Sequence, residues 1–413
     1  MANYQVTPGG NTKFEPSVAV HLLSPNIIVA TATDNTTGSP LVGLYRSIDG
    51  GVNWVNTLLP IPSEFVGAEA AYVAYCFGDL FIIVAHAFPP FGAAGTVIVY
   101  RSTDSGATFS APVIVNQGYG TFINNDATSI RIDRSQKSPY QGNVYLNYTR
   151  QTNIDFNGKS LAFYQRSTNQ GVSWDNPKLM SNPDDTTTER PFTAVDLFGN
   201  VYFSWITAPP SAPNFFIRRS FDGGGSFGPP ILVSPVSFVP SPLPVSGYAF
   251  RCLTFPVIAV DTSLNPLTSN TIYAVWQDNR QGYADIFMSK SQDLGTTWST
   301  PRSVTNATSG SQNFFPAIDV SSQTGAVKII YYTNKLDGFL LNVFVAESND
   351  GGTTFTNRQV TTASSNPNAG SPTPVVLIGD YIDVSIVPTE RFLAVWMDTR
   401  TGTQTIFAGN LDP

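Results

Sequence analysis

One nine-residue pattern occurs six times in this chain and leaves few folds open. The copies read RSIDGGVNW (Ser47, Asp49, Gly51, Trp54), RSTDSGATF (Ser102, Asp104, Gly106, Phe109) and RSTNQGVSW (Ser167, Asn169, Gly171, Trp174). They continue as RSFDGGGSF (Ser220, Asp222, Gly224, Phe227), KSQDLGTTW (Ser291, Asp293, Gly295, Trp298) and ESNDGGTTF (Ser348, Asp350, Gly352, Phe355). All fit S-x-D-x-G-x-x-W/F, with Asn in the third. Asp or Asn accepts backbone N–H groups inside a tight turn, Gly takes a backbone conformation that side chains disfavour, and the aromatic anchors the turn between sheets. These carboxylates are therefore read as structural.

The serines stand 55, 65, 53, 71 and 57 residues apart, room for four short strands per repeat. Ahead of each turn runs a strand of small residues and then one ending in an aromatic: RPFTAVD before VYFSWI, FPVIAVD before TIYAVWQD, FFPAIDV before VKIIYYT. A seventh copy, GDYIDVSIV, RFLAVWMDTR and TQTIFAGN, stops one strand short. The N-terminal NYQVTP resembles RQVTTA, the fourth strand after the sixth turn, so residues 3 to 8 are expected to complete the last blade. The expectation is an all-β, seven-bladed β-propeller of four-stranded antiparallel blades. It forms one domain over 1–413, with inner strands near 15–22, 67–76, 124–133, 190–197, 255–262, 314–321 and 379–386. Ring closure leaves no open sheet edge and ties down both termini. A six-bladed ring is the alternative.

Charged residues make up only 12% of the chain and the net charge is −7, with no Lys/Arg-rich run, which argues against nucleic acid and anionic membranes as partners. No apolar run approaches a membrane span, and MANYQVTPGG lacks the features of a secretory leader. The acidic, Ser/Thr/Asn-rich surface points to an extracellular or surface setting. Cys76 and Cys252 fall in different blades and are expected to be free and buried. With only His21 and His86, both inside apolar strands, a His-rich zinc or iron site is not expected, and both histidines read as core or edge residues. No cofactor is called for; calcium is the metal that suits oxygen ligands.

The six turns resemble the Asp-box, or BNR, repeat of sialidase-like propellers. That resemblance implies a site on the face opposite the boxes, where inner strands begin and second strands end. True sialidases have six blades, whereas other Asp-box propellers have seven. Sialidase chemistry needs three arginines, an acidic acid/base and a tyrosine nucleophile assisted by glutamate. Arg190, Arg251 and Arg400 would supply the arginines, Tyr381 the nucleophile and Glu189 its partner. The family's F/Y-R-I-P motif is missing: KFEPSVAV stands there, with Glu15 in place of the first arginine.

Glu15, Glu69, Asp126, Glu189 with Arg190, and Asp380 precede inner strands, so five blades aim acids at one channel mouth. At or beyond second-strand ends stand Asp34, Arg150, Asp278 with Arg280, Lys335, and Asp398 with Arg400, while Arg251 precedes the fifth inner strand. Glu189, Tyr381 and Asp126 are the catalytic candidates and the rest, Asp34 and Lys335 aside, are ligand-binding ones. Crowded carboxylates raise one another's pKa, and guanidiniums clamp carboxylates. The competing reading makes the D-x-R pairs of WQDNR and WMDTR local ion pairs that hold loops. Phe88, Phe91, Phe156, Phe215, Tyr248, Phe250 and Tyr381 are candidates for stacking on sugar rings, although most propeller aromatics pack between blades. The Pro-rich segment 229–250 is expected to shape one wall of the mouth.

Three functions fit these features. The first is a surface protein binding a glycan or a partner protein through the top face. The second is a glycoside hydrolase or lyase using two of the mouth carboxylates. The third is a structural protein of a spore, virion or cell surface, with a flat apolar patch.

Overall fold

The computed structural model describes residues 2–91, 94–153, 158–208, 212–370, 377–387 and 390–411, without the side chains of Glu189, Asn410 and Leu411. It is a seven-bladed β-propeller of four-stranded antiparallel blades, so the six-bladed alternative is excluded. The inner strands, in blade order, are Lys13–Val20, Gly67–Tyr75, Ile123–Ile132, Thr187–Val195, Val257–Val260, Asn313–Val320 and Asp383–Ile386. No described segment is a helix long and apolar enough to cross a membrane.

Blade 7 consists of Asp383–Ile386, Phe392–Asp398, Thr405–Leu411 and the N-terminal strand Ala2–Gln5. Ala2 lies opposite Asn410 and Gln5 opposite Phe407, so the first residues of the chain cover what would be an unpaired edge. Asn3 reaches beyond its own blade: its amide donates to the Val360 carbonyl (3.0 Å) and its oxygen accepts from the Thr362 N–H (2.7 Å) and from Arg400 (3.2 Å).

The aromatics at the ends of second strands fill the space between blades. Trp205, Trp276 and Trp396 are wholly buried. Each removes a large apolar area from water, on the order of 25 cal/mol per Å².

The recurrent turns stitch the blades to one another. In all six the Ser hydroxyl donates to the Asp or Asn carbonyl-type oxygen at 2.7–2.9 Å and accepts the Gly N–H at 2.8–2.9 Å. The N–H and side chain of Asn53 hold the Asp49 carboxyl down at about 2, and Thr297 does the same for Asp293. The Gly also meets the preceding blade. A Cβ on Gly106 would lie 2.4 Å from Val29 of blade 1, and one on Gly224 would lie 1.9 Å from the Tyr164 hydroxyl of blade 3. Both glycines have φ near +75 to +79°, so conformation and contact both exclude larger residues.

The cation before each Ser points the other way, into the next blade. Arg46 donates to the Ser105 carbonyl, Arg101 to Gln170, Arg166 to Gly223, Arg219 to Leu294 and Lys290 to Gly351, at 2.6–3.2 Å. Each acceptor is the residue just before the turn glycine of the following blade. The sixth turn carries Glu347 at this position, and the seventh blade has no such turn; Glu347 instead pairs with Lys328 and Arg358.

Replacing Arg101 by Met keeps the apolar stem and removes the tie to Gln170. The expected cost is about 1.5–3 kcal/mol, the usual range for a hydrogen bond involving a charged group, read as a lower midpoint in urea unfolding. Glu347→Gln, which has no partner turn to lose, should leave the blade 6 to blade 7 junction intact.

Candidate functional site

Inner strands of five blades carry a bulge near their start: the pairing register shifts between Phe14 and Ser17, Glu69 and Tyr72, Asp126 and Ser129, Glu189 and Phe192, and Phe314 and Ala317. Within these bulges Glu15, Ala70, Ala127 and Phe315 have φ between +50 and +56°, a strained conformation for residues other than Gly. The same device repeated around a channel re-aims side chains at the mouth.

Six of the sequence candidates meet there: Glu15, Glu69, Asp126, Arg190, Arg251 and Asp380, mutually close enough to shift one another's charge. Arg251 forms a two-point pair with Asp380, Nε to Oδ1 at 2.9 Å and Nη2 to Oδ2 at 2.5 Å. Asp380 is buried, whereas half of the Arg251 side chain faces solvent. Burial, then the neighbouring Asp380, pushes the Glu15 carboxyl up to about 8, so it is protonated at neutral pH. Burial also raises Glu69, opposed by His86. Asp126 goes the other way. Against burial, His86, the Ala127 N–H at 2.5 Å and Arg190 and Arg251 hold it below the ordinary aspartate range. One mouth thus contains carboxyls whose surroundings bias them in opposite directions, Glu15 toward keeping its proton and Asp126 toward losing it.

His86 is buried within its strand, in keeping with a core or edge residue, and it also borders the mouth. It lies opposite Glu69 across the strand pair, with Nδ1 at 3.4 Å from Asp126 Oδ1 and 4.0 Å from Glu69 Oε1. It is nearly buried, and neither ring nitrogen has a hydrogen-bond partner among the described residues. His21, by contrast, accepts the Ser24 N–H in a loop.

Arg190 is 5% exposed, yet its Nε and Nη1 have no hydrogen-bond partner among the described residues. Its guanidinium lies over the Tyr381 ring at 4.6 Å and the Phe255 ring at 5.2 Å. Leaving donors of a buried cation unpaired is costly, which marks them as waiting for an acceptor. Tyr381 stacks on Tyr72 at 4.6 Å and donates to the Ala71 carbonyl (3.3 Å). Burial and Glu15 push its hydroxyl well above the ordinary tyrosine range, which disfavours the ionised form a nucleophile needs. Beneath lies a cavity of about 20 Å³ lined by Tyr72, Arg190, Phe192, Phe255, Asp380 and Tyr381, room for about one water. A larger ligand would sit on the mouth.

The remaining candidates do not join this cluster. Arg150 is held by Asn125 (3.0 Å) and Asn116 (2.7 Å) and lies over Phe163. Buried Asp278 accepts from Trp276 Nε1 (2.8 Å) and from Arg280 (2.6 Å); Asp398, Trp396 and Arg400 repeat this at 2.9 and 2.6 Å. These are the local ion pairs of the competing reading. With Arg400 spent on Asp398 and Asn3, the three-arginine cluster that the sialidase resemblance implied is not assembled. Asp34 accepts from Tyr45 (2.6 Å), and Lys335 lies over Phe344. The Glu189 side chain and Phe156 lie outside the described residues. Phe215, Tyr248 and Phe250 are core residues, while Phe91 is exposed. Cys76 and Cys252 are free and buried. Among the described residues, no three His, Cys, Asp or Glu groups come close enough to hold a metal ion.

No protein-family model matches the sequence, and none of the curated proteins matches it. Solved structures do resemble the fold. The α-L-arabinanase of Penicillium chrysogenum, complexed with arabinobiose, is 11% identical with a TM-score of 0.56, over 100% of this chain and 98% of that one. The NanB sialidase of Streptococcus pneumoniae is 10% identical with a TM-score of 0.53, over 94% and 83%. A PL25 ulvan lyase bound to a GlcA–Rha3S unit is 12% identical with a TM-score of 0.52, over 96% and 93%. At these identities the likeness is one of fold alone, the β-propeller.

Glu15→Gln tests the electrostatics of the mouth. In the unfolded chain the Glu15 carboxyl ionises near 4.5, and in the fold near 8, so native stability is lost as pH rises through that window. The variant has no such loss. Its stability relative to the native chain should grow from pH 4 to about pH 8 and then level off in urea titrations; a pH-independent difference would place the Glu15 proton elsewhere.

Proposed function

We propose that this propeller binds and cleaves a glycan at the Glu15–Asp126 mouth. The observation that carries the reading is the opposite protonation of two carboxyls in one mouth, Glu15 with its proton and Asp126 without. Breaking a glycosidic bond needs a proton donor for the leaving oxygen and a base or anion on the other side. Glu15 fills the first role. Asp126, with His86 against it, fills the second and either accepts a proton or supports developing positive charge. The unpartnered N–H groups of Arg190 favour a substrate carrying a carboxylate or another anionic group.

Similar folds carry an arabinanase, a sialidase and an ulvan lyase, which supports the carbohydrate assignment. Membership of the Asp-box repeat family belongs to the same proposal, since the six turns match that pattern residue by residue. So does an extracellular or surface setting, where polymeric glycans are met. Recognition without turnover is the rival, favoured by the Arg251–Asp380 pair, which occupies groups a catalytic site would use.

A panel of glycosides and polysaccharides, neutral and acidic, tests this. Turnover by the native chain should fall roughly 100-fold or more in Glu15→Gln. Rate should drop as pH rises through about 8, where Glu15 loses its proton, and again below the ordinary aspartate range, where Asp126 gains one. Arg190→Lys should raise KM for acidic substrates more than for neutral ones. Binding with no turnover anywhere in the panel would leave only the recognition role.

A further inference from the structure

Two loops beside the mouth carry aromatic side chains with no part in the core. Tyr119 is 70% exposed and Phe122 53%, their rings 6.2 Å apart and 27° from parallel. Phe91, on the neighbouring loop, is 88% exposed. Leaving large rings in water is unfavourable unless something covers them.

The shelf is built rather than loose. Tyr119 and Ile123 exchange both backbone hydrogen bonds (2.9 and 3.1 Å), the Phe122 N–H returns to the Tyr119 carbonyl (3.0 Å), and the Asn153 N–H caps the Phe122 carbonyl (3.2 Å). Gly120 takes the left-handed conformation that the turn requires, with φ of +52°. The loop bearing Phe91 is pressed against this hairpin: a Cβ on Gly118 would meet Ala94 at 2.4 Å, and the Gly118 N–H donates to Thr96 (3.0 Å).

Position and chemistry define the occupant. Phe122 immediately precedes the inner strand Ile123–Ile132 and lies four residues before Asp126, which at about 3.3 Å per residue keeps the shelf within roughly 13 Å of that residue. Neither Ala87–Tyr100 nor Ser110–Asn125 contains a charged residue; the exposed polar neighbour is the Gln117 amide. Flat aromatic faces beside amides, on two segments that carry no charge of their own, suit the C–H faces of sugar rings rather than a protein surface.

We propose that Tyr119 and Phe122, with Phe91 beside them, form an outer subsite that stacks a sugar ring of a chain whose neighbouring units occupy the Glu15–Asp126 mouth. This rests on the glycan reading of the mouth and extends it to a polymeric substrate.

The test is calorimetric binding of short and long oligosaccharides from arabinan, polygalacturonate and cellulose to the native chain, to Tyr119→Ala/Phe122→Ala and to Glu15→Gln. Long chains should bind the double alanine variant roughly threefold to tenfold more weakly, with dimers unaffected. Glu15→Gln should retain the gain of affinity with length, so loss of cleavage and loss of the shelf are read separately. Length-dependent binding without turnover by the native chain sinks the cleavage reading and leaves the shelf standing. Equal loss at every length, no loss, or no binding of any oligosaccharide to the native chain overturns the proposal. So does a concentration-dependent dimer in sedimentation that disappears in Tyr119→Ala/Phe122→Ala, which would assign the shelf to a second copy.

Discussion

The contact on which the ring depends is the one between consecutive turns. Each turn glycine packs on the blade behind it, while the cation three residues before the turn's Asp or Asn reaches the carbonyl just before the glycine of the blade ahead. A single short motif therefore does two jobs. It closes the turn inside its own blade, through Ser and Asp, and fixes the angle to both neighbours. Apolar packing between twisted sheets tolerates sliding; directed hydrogen bonds from Arg46 through Lys290 do not. The stitching ends at Glu347, because blade 7 offers no turn carbonyl to receive a cation. There the closing work passes to the N-terminal strand and to Asn3.

With one face of the ring fixed in this way, the opposite face can carry strain. Left-handed backbone at Glu15, Ala70, Ala127 and Phe315 costs on the order of 1–3 kcal/mol each and persists only where the surroundings enforce it. The bulges break the alternation of the inner strands where they enter the channel. A regular strand would send successive side chains to opposite faces; the bulge interrupts that alternation where Glu15, Glu69, Asp126 and Arg190 meet the mouth.

Much of this was legible in the sequence because it is periodic. The six turns, the seventh partial blade and the NYQVTP closing strand all rest on repetition, and repetition also located Glu15, Glu69, Asp126 and Asp380 at or just ahead of the starts of their inner strands. What failed was whatever depends on a partner from elsewhere. His86 sits in FIIVAHAF like any core residue, and only its register opposite Glu69 and its approach to Asp126 in the next blade reveal it. Arg150 and Arg400 stand at positions suited to the mouth but are captured by Asn116, Asn125 and Asn3, none of which has a local sequence signal. Tyr119 and Phe122 lie in an aperiodic loop, where exposure cannot be told from burial.

The seam between the last and first blades links closure to chemistry. Asp383 of blade 7 accepts from the Ser17 hydroxyl (2.8 Å) and the Val18 N–H (3.0 Å) of blade 1, drawing the two inner strands together. Just above, Gly379 lies so near Glu15 that a Cβ there would stand 2.9 Å from its backbone nitrogen. That closeness places the Glu15 carboxyl in a dry site beside Asp380, and the two cannot both ionise without repulsion. Asp380 is compensated by Arg251, whereas for Glu15 burial and the neighbouring Asp380 outweigh the opposing pull of Arg190 and Arg251 and raise its carboxyl. The unusual acidity of the mouth is thus a consequence of shutting the ring. A seam that loosened would admit water and let Glu15 ionise, so the closure of the ring sets the electrostatics of the mouth as well as the fold.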